Sequence, residues 1–267
     1  MAHALALRES VSRVLLVDAA DSVAAGKALD IQQSGAISGF HTRLAGTADL
    51  SRVAGCDVCV VADRAGKTSD EWQGEEGLAR LSSLAAFAGP APLVFAGTRQ
   101  TDLLRHAARE LRLPPERLIG SSPEALASAI RAIVAMEVRC SSAEVTLTVL
   151  GTPPDGFVVP WSEASIGGYA LHAVLAPVQL TRIEARVRRL WPPQAFALGM
   201  AAALTVEGIV RSARRAFSVL TVLDGEFGVR GTVGALPVLL SSSGIAFRRV
   251  PALSGRERVQ LESALGA

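Results

Sequence analysis

The chain of 267 residues carries 27 basic and 25 acidic side chains, a net charge of +2, and 49% hydrophobic residues, with a mean hydropathy of +0.34. The near balance argues against nucleic acid as the main partner, and no stretch approaches the ~18–20 uncharged apolar residues that span a bilayer. The length admits one large α/β domain or two modest ones with a real interior.

The opening stretch has Arg8 and Glu9 early and no long apolar run, so it does not read as a signal peptide. Residues 1–7 read as a helix. A strand over 13–18 ends in Asp18, and 21–34 has the helical spacing of Val23, Ala24, Ala28 and Ile31. A short strand is expected over 41–45, and a continuous apolar strand over 57–62. Helix 75–87 stops at Gly89-Pro90, and strand 92–96, helix 101–111 and strand 118–120 follow. Strands alternating with helices imply βαβ units and a parallel sheet covered on both faces. After residue 120 the pattern changes. It gives a long alanine-rich helix over 123–137, a strand over 143–151 and a charged helix over 179–190. A long helix over 195–216, two antiparallel strands over 217–224 and 231–240, and a terminal helix over 256–265 complete it. The fold class is α/β followed by α+β, with domains 1–120 and 121–267.

Cys56, Cys59 and Cys140 form an odd set without regular spacing, which points to a reducing, cytoplasmic setting. Cys56 and Cys59 have CxxC spacing. On one strand, residues three apart face opposite sides, so they read as core cysteines. No metal-ligand cluster and no Ser/His/Asp set is readable. Nearly all basic charge is arginine, and the doublets Arg214-Arg215 and Arg248-Arg249 read as solvated faces. Of the four histidines, His106 falls on a charged helix face and His172 after a turn, both surface positions.

An ordered set of segments resembles the NAD-dependent malate/lactate dehydrogenases. Leu16-Val17-Asp18 followed by Gly26-Lys27-Ala28-Leu29-Asp30 is similar to that family's second strand and next helix. Gly46-Thr47-Ala48-Asp49 and Cys56 to Val61 resemble its third and fourth strand region. Arg117-Leu118-Ile119-Gly120 resembles the strand before its catalytic helix, and Val149-Leu150-Gly151 with Val159-Pro160 the segment bearing its active-site histidine. Asp224 to Gly228, Leu236-Pro237-Val238 and Ser243-Gly244-Ile245 resemble its C-terminal hairpin. The order holds from about residue 2 to residue 265.

The resemblance implies a Rossmann-like sheet, a lactate/malate dehydrogenase-type C-terminal domain, and NAD as cofactor. An acid at the end of the second strand, here Asp18, would bind the adenosine ribose hydroxyls. Thr98 matches the threonine of the family's Thr-Asn-Pro turn; Arg99 and Gln100 replace the other two. The glycine-rich phosphate fingerprint and the first strand have no match. The expectation is that Met1 is an internal start, with a strand of about 5–6 residues and the glycine turn just upstream.

The resemblance also implies three contributions to hydride chemistry: a histidine moving the hydroxyl proton, an aspartate orienting it, and arginines clamping the substrate. Here Pro153 stands at the histidine position, and Leu126 and Ala129 at the Asp-x-x-Arg positions. The mobile loop offers Lys67 or Arg64 as cations, opposed by Asp70 and Glu71. The expectation is therefore no catalytic residue of the family type and no metal site, that is, a pseudoenzyme. Two alternatives stand beside it: an oxidoreductase on a different small 2-keto or 2-hydroxy acid with Arg99 or Lys67 as anion clamp, and a structural or regulatory partner of an active homologue. The helix from Gly26 to Ser34 is similar to the family's subunit contact, implying a homo-oligomer, dimer or tetramer.

Overall fold

The computed structural model describes residues 1–63, 72, 74–98, 100–153 and 156–266. In chain order come α1 (Ala2–Leu7), β1 (Arg13–Val17), α2 (Asp21–Ser38), β2 (Arg43–Thr47), β3 (Cys59–Val61) and α3 (Gly74–Ala88). Then follow β4 (Leu93–Phe95), α4 (Thr101–Arg109), β5 (Leu118–Gly120) and α5 (Ser122–Val138). The remainder holds β6 (Val145–Thr146), β7 (Leu150–Thr152), β8 (Gly156–Val158), β9 (Ser165–Ile166), β10 (Tyr169–Ala170), α6 (Leu171–Val174) and α7 (Pro177–Val187). It ends with α8 (Ala195–Val210), β11 (Phe217–Asp224), β12 (Arg230–Ser241), β13 (Gly244–Arg248) and α9 (Gly255–Leu265).

β3, β4 and β5 pair in parallel, Val60 opposite Val94 and Val94 opposite Ile119. The sheet then continues through an antiparallel contact of Gly120 with Leu220, giving the order β3-β4-β5-β11-β12-β7-β8, with β13 on β12. β1 and β2 pair in parallel as a separate two-stranded sheet. Among the described residues no strand pairs with the other edge of β1 or of β3.

Side-chain alternation assigns the strands to two layers. Val94, Ile119, Val219 and Leu236 pack with Ala203, Val206 and Ile209 of α8. Leu93, Phe95, Leu118, Leu220 and Val222 pack against Leu81 of α3 and Leu103, Leu104 and Ala107 of α4. β1 follows the same division: Val14 and Leu16 belong to the α8 layer and Leu15 to the α3/α4 layer. Thus β1 extends the layering of β3 to β5 without a hydrogen-bonded neighbour between them. A further core joins α5 and α7, where Leu126, Ile130 and Val134 meet Ile183 and Val187.

Some segments depart from the sequence expectation. The strand expected over 143–151 is broken: β6 pairs with β9, whereas β7 pairs with β8 and β12 in another sheet. The helix expected to reach Ala216 ends at Val210, and the chain reverses through Ser212, whose φ is +47°, into β11. The arginine doublets are not simply solvated. Arg215 stacks 3.7 Å from the centre of the Phe217 ring and reaches Glu124 at 3.2 Å. Arg248, whose side chain is 16% exposed, lies 3.5 Å from both Glu116 and Glu226. No helix among the described residues is long and apolar enough to cross a membrane.

Candidate functional site

In open α/β sheets, ligands gather at the carboxyl ends of the parallel strands. Here those ends present Asp18 after β1, Asp63 after β3, Gly97 and Thr98 after β4, and Ser121 after β5. Asp18 is exposed, and its Oδ1 accepts the backbone N–H of Ala20 at 2.9 Å, so it turns the chain into α2. Thr98 is half-buried in the turn leading to α4. Arg99, Lys67, Arg64, Asp70 and Glu71 lie outside the described residues.

Gln100 organises this rim, a role its sequence position did not signal. It is 1% exposed. Its Oε1 accepts the N–H of Gly97 at 2.7 Å, and its Nε2 donates to Asp63 Oδ1 at 3.0 Å and to the Val61 carbonyl at 3.4 Å. The amide therefore ties the carboxyl end of β3 to that of β4. The Asp63 carboxylate packs so closely on Gly97 that a Cβ there would meet Oδ1 at 2.1 Å, which excludes any larger residue without a shift. Trp72 closes over the same end, its Nε1 donating to the Ala62 carbonyl at 3.1 Å. The Ser121 hydroxyl and N–H both donate to the Phe95 carbonyl, at 3.2 Å and 2.9 Å, fixing α5 to β4.

The positions that the resemblance assigns to proton transfer and substrate clamping carry apolar side chains. Leu126 on α5 is 0% exposed within the α5/α7 core. Ala129 on the same helix is half-buried, and Pro153 is buried just after β7. A proline ring has neither donor nor acceptor, and the two aliphatic side chains can neither orient an imidazole nor pair with a carboxylate. His41 is exposed and bound to Glu9 at 3.1 Å, His106 pairs with Glu110 on α4, and His172 is exposed. Among the described residues no three histidine, cysteine or carboxylate side chains gather as a metal site.

The dinucleotide fits this arrangement only in part. Asp18 stands where a ribose acid belongs, while a glycine cradle for the pyrophosphate has no counterpart among the described residues. A surface recess of about 570 Å³, lined by Glu9, Arg13, His41 and Arg43, lies at the opposite, amino ends of β1 and β2.

Cys59 is buried in the core and Cys56 packs against the same cluster, but the two do not face opposite sides of one strand. β3 begins only at Cys59; Cys56 precedes it in a turn, and the two sulfurs lie 3.2 Å apart instead of on opposite faces.

No family model matches the chain. Curated relatives do. Malate dehydrogenase of Cytophaga hutchinsonii is 28% identical over 98% of this chain and 89% of its own length. That of Staphylococcus carnosus is 28% identical over 92% and 84%. Among solved structures, malate dehydrogenase from Aeropyrum pernix aligns over 99% of this chain and 91% of its own, with a TM-score of 0.89 and 21% identity. The lactate dehydrogenase of Cryptosporidium parvum, complexed with lactic acid and nicotinamide adenine dinucleotide, gives a TM-score of 0.89 at 21% identity, over 99% and 90% of the two chains. Along nearly its whole length the chain is thus similar to malate dehydrogenases, and it shares the fold of the malate and lactate dehydrogenases.

Proposed function

We propose that this chain keeps the malate dehydrogenase scaffold but performs no hydride transfer of the family type. The observation that carries this reading is Leu126, sealed at 0% exposure in an aliphatic core, where the resemblance places an ionised aspartate. Ala129 and Pro153 support it. A general base contributes roughly 10²–10⁴-fold, and a misplaced substrate costs a further ~10². Losing base, orienting acid and clamp together removes enough to bring family-type turnover to background.

The division of labour we infer places nucleotide contact in residues 1–120 and substrate contact in residues 121–267. It is supported by the strand pattern: the pairings within β1 to β5 are parallel, and those involving β6 to β13 are antiparallel. Asp18 and Thr98 are the proposed NAD contacts. NAD would supply the hydride-carrying nicotinamide; these two residues would bind its nucleoside and ribose parts. A homo-oligomer is supported by exposed apolar side chains on two helices, Val23, Leu29 and Ile37 on α2 and Phe196 and Met200 on α8.

The test is NADH titration followed by fluorescence, for the parent and for Asp18→Ala, together with a screen of 2-keto acids. The reading expects no keto-acid-dependent NADH oxidation; any NADH binding should weaken at least tenfold in Asp18→Ala. Keto-acid turnover clearly above background overturns it. Sedimentation as a monomer at micromolar concentration removes the oligomer proposal.

A further inference from the structure

The Cys56/Cys59 pair lies at the amino end of β3, away from the rim formed by Asp63 and Gln100. Gly55, at φ +76°, reverses the chain after the short helical turn Leu50–Val53, a backbone state that suits glycine. The reversal sets the Cys56 sulfur 3.2 Å from that of Cys59. All three cysteines are free thiols. Cys59 is 7% exposed, embedded with Leu81 and Leu93, while Cys56 is half-buried.

The two thiols are electronically unlike. The hydrogen bond from Cys59 lowers the Cys56 thiol to about 7, against the opposing effect of partial burial. The same bond, and then burial, push the Cys59 thiol far above its ordinary range. Arg117, fixed by the Ala91 carbonyl at 2.8 Å, adds a positive charge near Cys59. Cys56 is thus the reactive sulfur and Cys59 the protonated partner behind it. A metal reading lacks ligands, since no third histidine, cysteine or carboxylate joins the pair among the described residues.

We propose that Cys56 and Cys59 form a reversible dithiol–disulfide couple that is closed by hydroperoxides. The Cys56 thiolate attacks one peroxide oxygen. The O–O bond breaks, giving a sulfenic acid on Cys56 and, after protonation, water or an alcohol. Cys59 loses its proton and attacks the Cys56 sulfur; the S–O bond breaks, water leaves and the S–S bond forms. Two thiols lose two electrons and the peroxide gains them. The sulfurs need to approach by only about 1.1 Å to reach bonding distance. A small dithiol reverses the reaction by exchange. Closure would clasp the turn at Gly55 to the first residue of β3.

The full chain itself provides the test, because trypsin cutting after Arg52 and Arg64 releases both cysteines on one peptide, residues 53–64. The protein is reduced, treated with hydrogen peroxide, alkylated and digested. The expected peptide is about 2 Da lighter than its dithiol form, takes up no alkylating reagent, and regains two alkylation sites after dithiothreitol. Cys140, whose thiol contacts only the Ser141 carbonyl at 3.4 Å among the bonds described, serves as the internal control and stays alkylated. Cys59→Ser should stop at a Cys56 sulfenic acid that dimedone captures, and Cys56→Ser should resist the same dose. Two alkylated cysteines on the 53–64 peptide after peroxide would overturn the proposal, as would a Cys56 sulfinic acid beside an intact Cys59 thiol.

Discussion

Glu124 is a carboxylate with 2% of its side chain exposed, and it joins α5 to β11. Its Oε2 accepts the N–H of Ser218 at 3.0 Å, and its Oε1 takes Arg131 at 2.9 Å and Arg215 at 3.2 Å. Removing it strands a buried N–H and two guanidinium groups, so Glu124→Ala should cost about 2–4 kcal/mol in urea unfolding. A cost under about 0.5 kcal/mol would show that these bonds are replaced by water. Gln100→Ala cuts the tie between β3 and β4 and should cost about 1–3 kcal/mol, since the Gly97 N–H loses its partner. Neither residue stood out in the sequence. A single glutamate or glutamine looks the same in one dimension whether it faces water or a buried N–H, and only the closeness of distant segments makes these two matter. The position of Asp18 just after β1 was legible because a strand end is itself a local signal.

At the scale of elements, α9 shows how a local rule extends into tertiary structure. Ser254 and Glu257 form a capping box, and Glu257 also receives the Ser162 N–H at 3.0 Å and its hydroxyl at 2.6 Å. Burial raises the Glu257 carboxyl, but the hydrogen bonds from Ser162 and Ser254 outweigh it and hold the group below its ordinary 4.5. A carboxyl lowered on folding stabilises the protein above its unfolded pKa, and that contribution disappears as pH falls through the folded value. Glu257→Gln should therefore lower the melting temperature above about pH 5, and the two proteins should converge as pH drops below 4.5. Equal melting temperatures across that range would contradict the assignment. The regular elements were read from the sequence because their periodicity is local: α5, β11 and α9 fall where the spacing puts them, and α2 starts where expected but runs on past Ser34 to Ser38. The stretch 143–151 was not, because β6 and β7 belong to different sheets and the break between them is decided by distant partners. Cys56 was misread for the same reason. The strand expected from residue 57 begins two residues later, at Cys59, and Cys56 lies in the turn before it.

At the scale of the whole molecule, the proposed function separates the architecture of the malate and lactate dehydrogenases from their chemistry. The sheet order, the two packing layers and the helices above them need only apolar side chains in the right places, and these persist. The reactive positions need specific polar groups at a few points. Leu126 and Pro153 are compatible with the fold while contributing no proton donor or acceptor. The measurement that tests this most directly is NADH oxidation with oxaloacetate, followed at 340 nm with tens of micromolar protein. The expected rate is indistinguishable from the protein-free control. Oxaloacetate-dependent oxidation that scales with protein concentration would contradict it and would place a working proton donor elsewhere in the chain.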